Sequence, residues 1–223
     1  MSKYDHLIGT ELVAGEWGWT ADRAMLYAVG VGAGLPDPLA ERQFTTENNP
    51  GIRHQVIPTF LALMGLPSNW LGLLGWEGEG QNTIGIVHGE QSVTLARPVP
   101  SQGRVRIRKV LRGVYDKGSG ALLDMETEIR MTETGELLGR TNQKLFAQGK
   151  GGFGGPRRPP DERAWERPGR QPDSEVSLPV GVNQSLIYRL SGDHHPHGTD
   201  PGIARRDGFA RPIYYGMGTF GVA

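Results

Sequence analysis

The sequence predicts an α+β protein with an antiparallel sheet laid against apolar helices. Three observations carry that expectation. Two helix-like segments come first, a series of strand-like runs divided by glycine or proline turns follows, and a glycine- and proline-rich stretch then separates off a short final piece. The first helix is expected from Thr20 to Gly34: Thr20 can cap it, Asp22 suits the first turn, and apolar residues run on to a glycine stop. Pro58 to Gly65 reads as a second, buried helix with proline in its first turn. Strand candidates follow at 83–88, 91–95, 105–115, 121–132 and 136–148, with turns at Asp116-Lys-Gly118 and Thr134-Gly135.

Strands in this order after a buried helix suggest a sheet wrapped around that helix. This is the hot-dog arrangement, although periodicity alone also permits another layered α+β fold. A weak internal repeat favours a doubled version. Tyr27-Ala-Val-Gly30 precedes Thr59-Phe60, and Tyr188-Arg-Leu-Ser-Gly192 precedes Thr219-Phe220; tyrosine and phenylalanine stand 33 positions apart in the first half and 32 in the second.

The stretch from Gly149 to Pro172 suits neither a helix interior nor a central strand and reads as a linker. The expected organisation is an N-terminal unit at 1–148, a Gly/Pro/Arg-rich linker at 149–174, and the start of a second unit at 175–223. That second unit is expected to open with a strand around Val176 to Val180. By internal comparison it lacks most of its sheet, so the chain reads as a C-terminally truncated tandem hot-dog, a fragment or one completed by another chain.

At 223 residues the chain is long enough for one large domain or two small ones. Basic and acidic residues balance at 24 each, so the basic excess that marks a nucleic-acid partner is missing. There is no cysteine, which rules out disulfides, thiolate nucleophiles and Cys-based metal sites. The first residues carry no apolar signal core, and no run approaches the roughly 18 apolar residues of a membrane span. The expectation is a cytoplasmic protein with neither a membrane nor a nucleic-acid partner.

Tyr188-Arg-Leu-Ser-Gly-Asp-His-His-Pro-His-Gly-Thr-Asp200, followed by Gly208-Phe-Ala-Arg-Pro-Ile-Tyr-Tyr-Gly216, gathers an acid, three histidines and glycine-flanked turns. It closely resembles the signature of the MaoC-like, R-specific enoyl-CoA hydratases. Met25 to Gly34, Ile57-Pro-Thr-Phe60, His88-Gly-Glu-Gln91, Val114-Tyr-Asp-Lys-Gly118 and Gly151-Gly-Phe-Gly-Gly155 also look like landmarks of that family. The resemblance covers essentially the whole chain. It implies tandem hot-dog halves, the first holding the acyl tail and the second carrying the chemistry: addition of water to a trans-2-enoyl-CoA.

Hydration needs a base for water, an acid for the α-carbon and donors for the thioester oxygen. By resemblance Asp193 is the catalytic aspartate; a turn or cap aspartate is its plain alternative. The family's catalytic histidine falls on Gly198, which cannot transfer a proton, so His197 and then His195 are the candidates to replace it; a solvated polar turn is the alternative for both. Gly216 matches the oxyanion glycine at a helix start, or is simply a helix-entry glycine. Tyr215 replaces a histidine beside it, as an altered polar contact to substrate. Arg205 and Arg206 are candidates for the coenzyme A phosphates, with Arg211 behind them, although scattered arginines are more often a solvated face. Asp200 and Pro201 are expected to shape the turn. The apolar run Val56 to Leu66, with Trp70 and Trp76, is core or acyl-tunnel lining.

His-x-His invites a metal reading, but zinc needs three or four convergent ligands and none is assured, so no metal and no cofactor is expected. The partner expected is an acyl-CoA thioester, with assembly as a homodimer or with another hot-dog chain. The alternative function is a catalytically impaired subunit that binds acyl-CoA or completes a partner hydratase.

Overall fold

The computed structural model describes residues 2–65, 74–76, 85–160, 162, 166–206 and 208–223. Along an interior strand of its sheet, Arg104, Arg106 and Arg108 are exposed while Val105, Ile107 and Lys109, alternating with them, are buried. This period of two gives the strand one core face. Five strands form the sheet: β1 (Glu11–Trp19), β2 (Ile86–Leu95), β3 (Gly103–Asp116), β4 (Gly120–Met131) and β5 (Leu137–Gln148). They lie in the order β1-β3-β4-β5-β2, and every neighbouring pair is antiparallel. This is the hot-dog sheet, in an α+β chain.

Helix α1 (Ala21–Gly30) starts where its cap predicts: the Arg23 N–H donates to Thr20 Oγ1 at 3.4 Å. It ends at Gly30, and Gly32 follows at φ 102°. The short α2 spans Arg42–Thr45. The expected helix after Pro58 is instead a six-residue 3-10 segment, Pro58–Leu63. Gly65, at φ 99°, closes it before an α-helix has room to propagate.

Two expected strands, 83–88 and 91–95, are one strand, β2, with a bulge between His88 and Glu90 at Gly89; Thr83 and Ile84 lie outside the described residues. The edge strand β1 was not foreseen, although Val13, Gly15, Trp17 and Trp19 alternate in its sequence. The strand expected at Val176–Val180 does not form. That segment is irregular and exposed, because a strand needs a neighbouring backbone to bond with, and none among the described residues pairs with it. Helices α3 (Gln184–Arg189), α4 (Pro201–Arg206) and α5 (Gly216–Val222) complete the chain.

Two apolar clusters cover the inner face. One joins Trp19, Tyr27, Phe60–Met64, Val105 and Ile129 to Tyr188 and Tyr215 of the final segment. The other joins Tyr4, Leu74, Trp76, Leu111, Leu123 and Met125. The run from Val56 therefore packs as core; Leu66 and Trp70 lie outside the described residues. Lys109, Thr127 and Thr141 pair in register on adjacent strands and are all buried. The Lys109 ammonium donates to Gly65 O at 3.0 Å, and desolvation pushes its pKa down to about 8.

The beginning of the expected linker is fastened to the sheet. Asp116, at the end of β3, accepts backbone N–H bonds from Gly118 (2.8 Å), Gly152 (2.9 Å) and Gly154 (2.7 Å). Phe153 between the two latter glycines packs edge-on to Tyr4 at 5.0 Å. This clasp accounts for the Asp-Lys-Gly and Gly-Gly-Phe-Gly-Gly motifs together. Hydrogen bonds from the Gly118 N–H first, then Gly152, Gly154 and Phe153, outweigh desolvation and hold the carboxyl down at about 2. A depressed carboxyl contributes stability above its unfolded value and loses it as pH falls from about 4 through about 2. Asp116→Asn is expected to lower the denaturation midpoint at pH 7 and to flatten the dependence of stability on pH in that acid window, as read by urea unfolding at a series of pH values.

Candidate active site

The functional motif is carried by α3 and the loops after it, and α3 lies against α1. At Gly30 a Cβ would sit 3.0 Å from Tyr188 Cα, tighter than side-chain carbons usually pack, so the bare glycine lets the two helices meet this closely. The Gln184 amide donates to Val29 O (2.7 Å) and Gly30 O (2.6 Å), and the Tyr214 hydroxyl donates to Gly30 O at 2.8 Å. Side chains from the second half thus satisfy the free carbonyls at the end of α1. Tyr188 is fully buried among Tyr27, Tyr214 and Tyr215, with ring centroids 6.2, 5.9 and 5.2 Å away. Its hydroxyl has no hydrogen-bond partner among the described residues, and burial first, then the Asp193 charge, raises its pKa strongly.

After Tyr188 the chain turns through Ser191 and Gly192, at φ 128°. Arg23 of α1 reaches across to donate to Ser191 O at 3.3 Å, its guanidinium 4.5 Å from the centre of the Trp17 ring. The turn delivers Asp193 into a half-buried position, where its Oδ1 accepts the His195 N–H at 3.3 Å. Desolvation raises the Asp193 pKa; the His195 N–H and the nearby His194 and His88 act in the opposite direction.

His88 comes from the β2 bulge and was not foreseen as a site residue; the glycine inside a strand pattern was the available signal. Its Nε2 lies 3.1 Å from Glu90 O and its Nδ1 lies 3.4 Å from the Gln143 amide nitrogen. A carbonyl only accepts, so Nε2 carries a proton. Burial lowers the His88 pKa, with the Asp193 charge acting against it.

His195 and His197 meet each other. Their rings stack at 4.3 Å and 12°, with Nδ1 to Nδ1 at 2.6 Å. Pro196–Gly198 forms a short 3-10 turn. Asp200 then caps α4, accepting the N–H groups of Gly202 (2.7 Å) and Ile203 (3.1 Å). It shapes the turn as expected. Arg205 and Arg206 stand exposed at the end of α4, and Arg211 is exposed beyond them. Gly216 opens α5, exposed to solvent.

Position 198 and Tyr215 are sterically linked. A Cβ at Gly198 would run into the Tyr215 ring and lie 2.9 Å from its hydroxyl oxygen. That ring is buried, and its hydroxyl donates to His195 O at 2.7 Å. A cleft of about 500 Å³ lies elsewhere, lined by Lys3, Tyr4, His6, Trp76 and Lys150, and contains none of the motif residues.

Comparison with known proteins agrees with this fold. Residues 17–149 match the MFE-2 hydratase 2 N-terminal domain, and residues 163–223 match the MaoC like domain. The chain belongs to the MaoC-like hydratase 2 family. Among its relatives is the 3-hydroxyacyl-thioester dehydratase Y of Mycobacterium tuberculosis, 40% identical over 92% of this chain and 69% of the relative. The peroxisomal enoyl-CoA hydratase 2 of Arabidopsis thaliana is 33% identical over 98% of this chain and 74% of its own length. The MaoC-like dehydratase of Phytophthora capsici shares the fold with a TM-score of 0.80 and 27% identity, over 97% of this chain and 73% of that one. The full-length peroxisomal multifunctional enzyme type 2 of Drosophila melanogaster matches with a TM-score of 0.72 and 28% identity, over 94% of this chain and 36% of that one.

The steric link yields a stability test. Gly198→Ala is expected to cost about 1–3 kcal/mol by overpacking against Tyr215. Gly216→Ala, where a Cβ meets nothing within 4 Å, is expected to stay within about 0.5 kcal/mol. Urea denaturation of both variants measures the difference.

Proposed function

We propose that the chain catalyses reversible hydration of trans-2-enoyl-CoA to R-3-hydroxyacyl-CoA in fatty acyl-CoA metabolism. The observation that carries this reading is Asp193: a carboxyl desolvated and raised in pKa, set in the motif turn and faced by His88 and His194. A carboxylate poised in this way can take the proton from attacking water, and its conjugate acid can return it in the reverse reaction. The names of the relatives support the same substrate class. No helix among the described residues is long and apolar enough to cross a membrane.

In this proposal residues 1–148 hold the acyl portion and 175–223 carry the chemistry. The Gly216 N–H, at the start of α5, stabilises charge on the thioester oxygen, and Arg205 and Arg206 meet the coenzyme A phosphates. The His195–His197 pair borders Asp193 through the His195 backbone. Assembly with a second hot-dog edge, from another copy or another chain, is supported by Val176, Leu178, Val180 and Val182. These apolar residues stand at every second position of an exposed segment, a surface that a partner could cover. The second reading, an acyl-CoA-binding subunit without turnover, is favoured by the bare position at Gly198.

Loss of the enoyl-thioester absorbance on mixing separates the two. Asp193→Asn is expected to lower kcat by about 100-fold or more while acyl-CoA binding persists. Equal rates in wild type and Asp193→Asn would overturn the assignment of Asp193. Binding without turnover in the wild type would establish the second reading.

A further inference from the structure

Hydration of an enoyl thioester moves two protons, one off water and one onto the α-carbon. Asp193 accounts for the first. The imidazoles of His195 and His197 are turned onto one another, and the Tyr215 ring fills the space a side chain at 198 would need. The phenol that fills it has the groups a proton donor requires. Its oxygen donates to His195 O at 2.7 Å, and the charges of Arg189, on α3, and of Asp193 both act on it. The ring is held against buried Tyr188 at 5.2 Å and is itself buried.

We propose that Tyr215, with the Arg189 charge acting on its oxygen, is the catalytic acid that protonates the α-carbon, in partnership with Asp193. The proposal rests on the hydratase reading above. As Asp193 removes a proton from water, the resulting oxygen bonds to the β-carbon and the C=C electron pair shifts towards the thioester oxygen. As that pair returns, a new C–H bond forms at the α-carbon from the Tyr215 O–H. The electron pair of that O–H stays on the phenolate, where the Arg189 guanidinium offsets its charge. Transfer of the proton held by Asp193 to the phenolate, through water, restores both groups. One water is added, and no cofactor or oxidant is consumed.

Arg189 acts through Tyr215 and is a positioning residue. Burial and the Asp193 charge disfavour the phenolate, while Arg189 favours it. The alkaline limb of the rate profile, where the phenol loses its proton, is therefore expected to move to higher pH in Arg189→Gln and to return towards its original place in Arg189→Lys. Tyr188 also lies near this phenol and Asp193, and His194 and His88 face Asp193 itself; none of them is altered in these variants.

The test compares kcat, KM and the pH profile of the full chain with those of Tyr215→Phe, Arg189→Gln, His197→Ala and Asp193→Asn. Tyr215→Phe keeps the ring beside Gly198 and removes only the hydroxyl. We expect it to lower kcat by about 100-fold or more with little change in KM, and to abolish the alkaline limb. We expect His197→Ala to lower kcat less than Tyr215→Phe does. Wild-type kcat in Tyr215→Phe alongside an inactive Asp193→Asn would overturn the role of Tyr215 and leave the hydratase reading standing. So would a loss in His197→Ala that Tyr215→Phe does not show. A double variant, Gly198→His with Tyr215→His, covers the remaining case. If only that variant turns over, Tyr215 is a plug and the proposal fails while the pocket is a hydratase pocket. If neither it nor the wild type turns over, the hydratase reading fails and takes the proposal with it.

Discussion

Everything said of the site depends on the close contact between α1 and α3. Gly30 brings the backbones near enough for Tyr188 to be fully buried, and Gln184 and Tyr214 bond the last carbonyls of α1. Each of these hydrogen bonds contributes only about 1 kcal/mol net, but leaving those buried carbonyls unpaired would cost more. The contact fixes the register of the turn that follows. Arg23, on the same α1, reaches the Ser191 carbonyl two residues before Asp193. The carboxyl is thereby partly withdrawn from water, and desolvation does the rest.

The sheet contributes in a different way. Its inner face carries two apolar clusters, and a row of buried polar side chains, Lys109, Thr127 and Thr141, runs across adjacent strands. The β2 bulge turns His88 towards the Asp193 charge, so the first half supplies part of the electrostatic setting of the second. The Asp116 clasp fastens the glycine-rich segment after β5 to the end of β3, which fixes where the chain leaves the sheet.

Local signals were the legible ones. The Thr20 cap located α1, and alternation located β3, β4 and β5 to within a few residues, because caps and pleats depend on neighbours in sequence. The motif around Asp193 was legible as a pattern, and so was the turn role of Asp200. What sequence could not show depends on contacts between distant segments. The bulge fused two expected strands into β2, a lack of pairing kept 176–180 from forming a strand, and Gly65 cut short the helix expected after Pro58. The exclusion between position 198 and Tyr215 is of the same kind: each residue looks like an isolated departure from the family motif until the ring of one is seen in the space of the other. His88, Arg23 and Arg189 enter the site only through the fold.

The central claim is that this packing makes Asp193 a desolvated acid–base group, and its carboxyl titration tests that most directly. In a carbon-13 NMR titration of aspartate-labelled protein, with Asp193→Asn used to assign the signal, Asp193 is predicted to titrate above the usual aspartate value. A midpoint at or below that value would mean that the turn leaves the carboxyl solvated, and the account of the site would be contradicted.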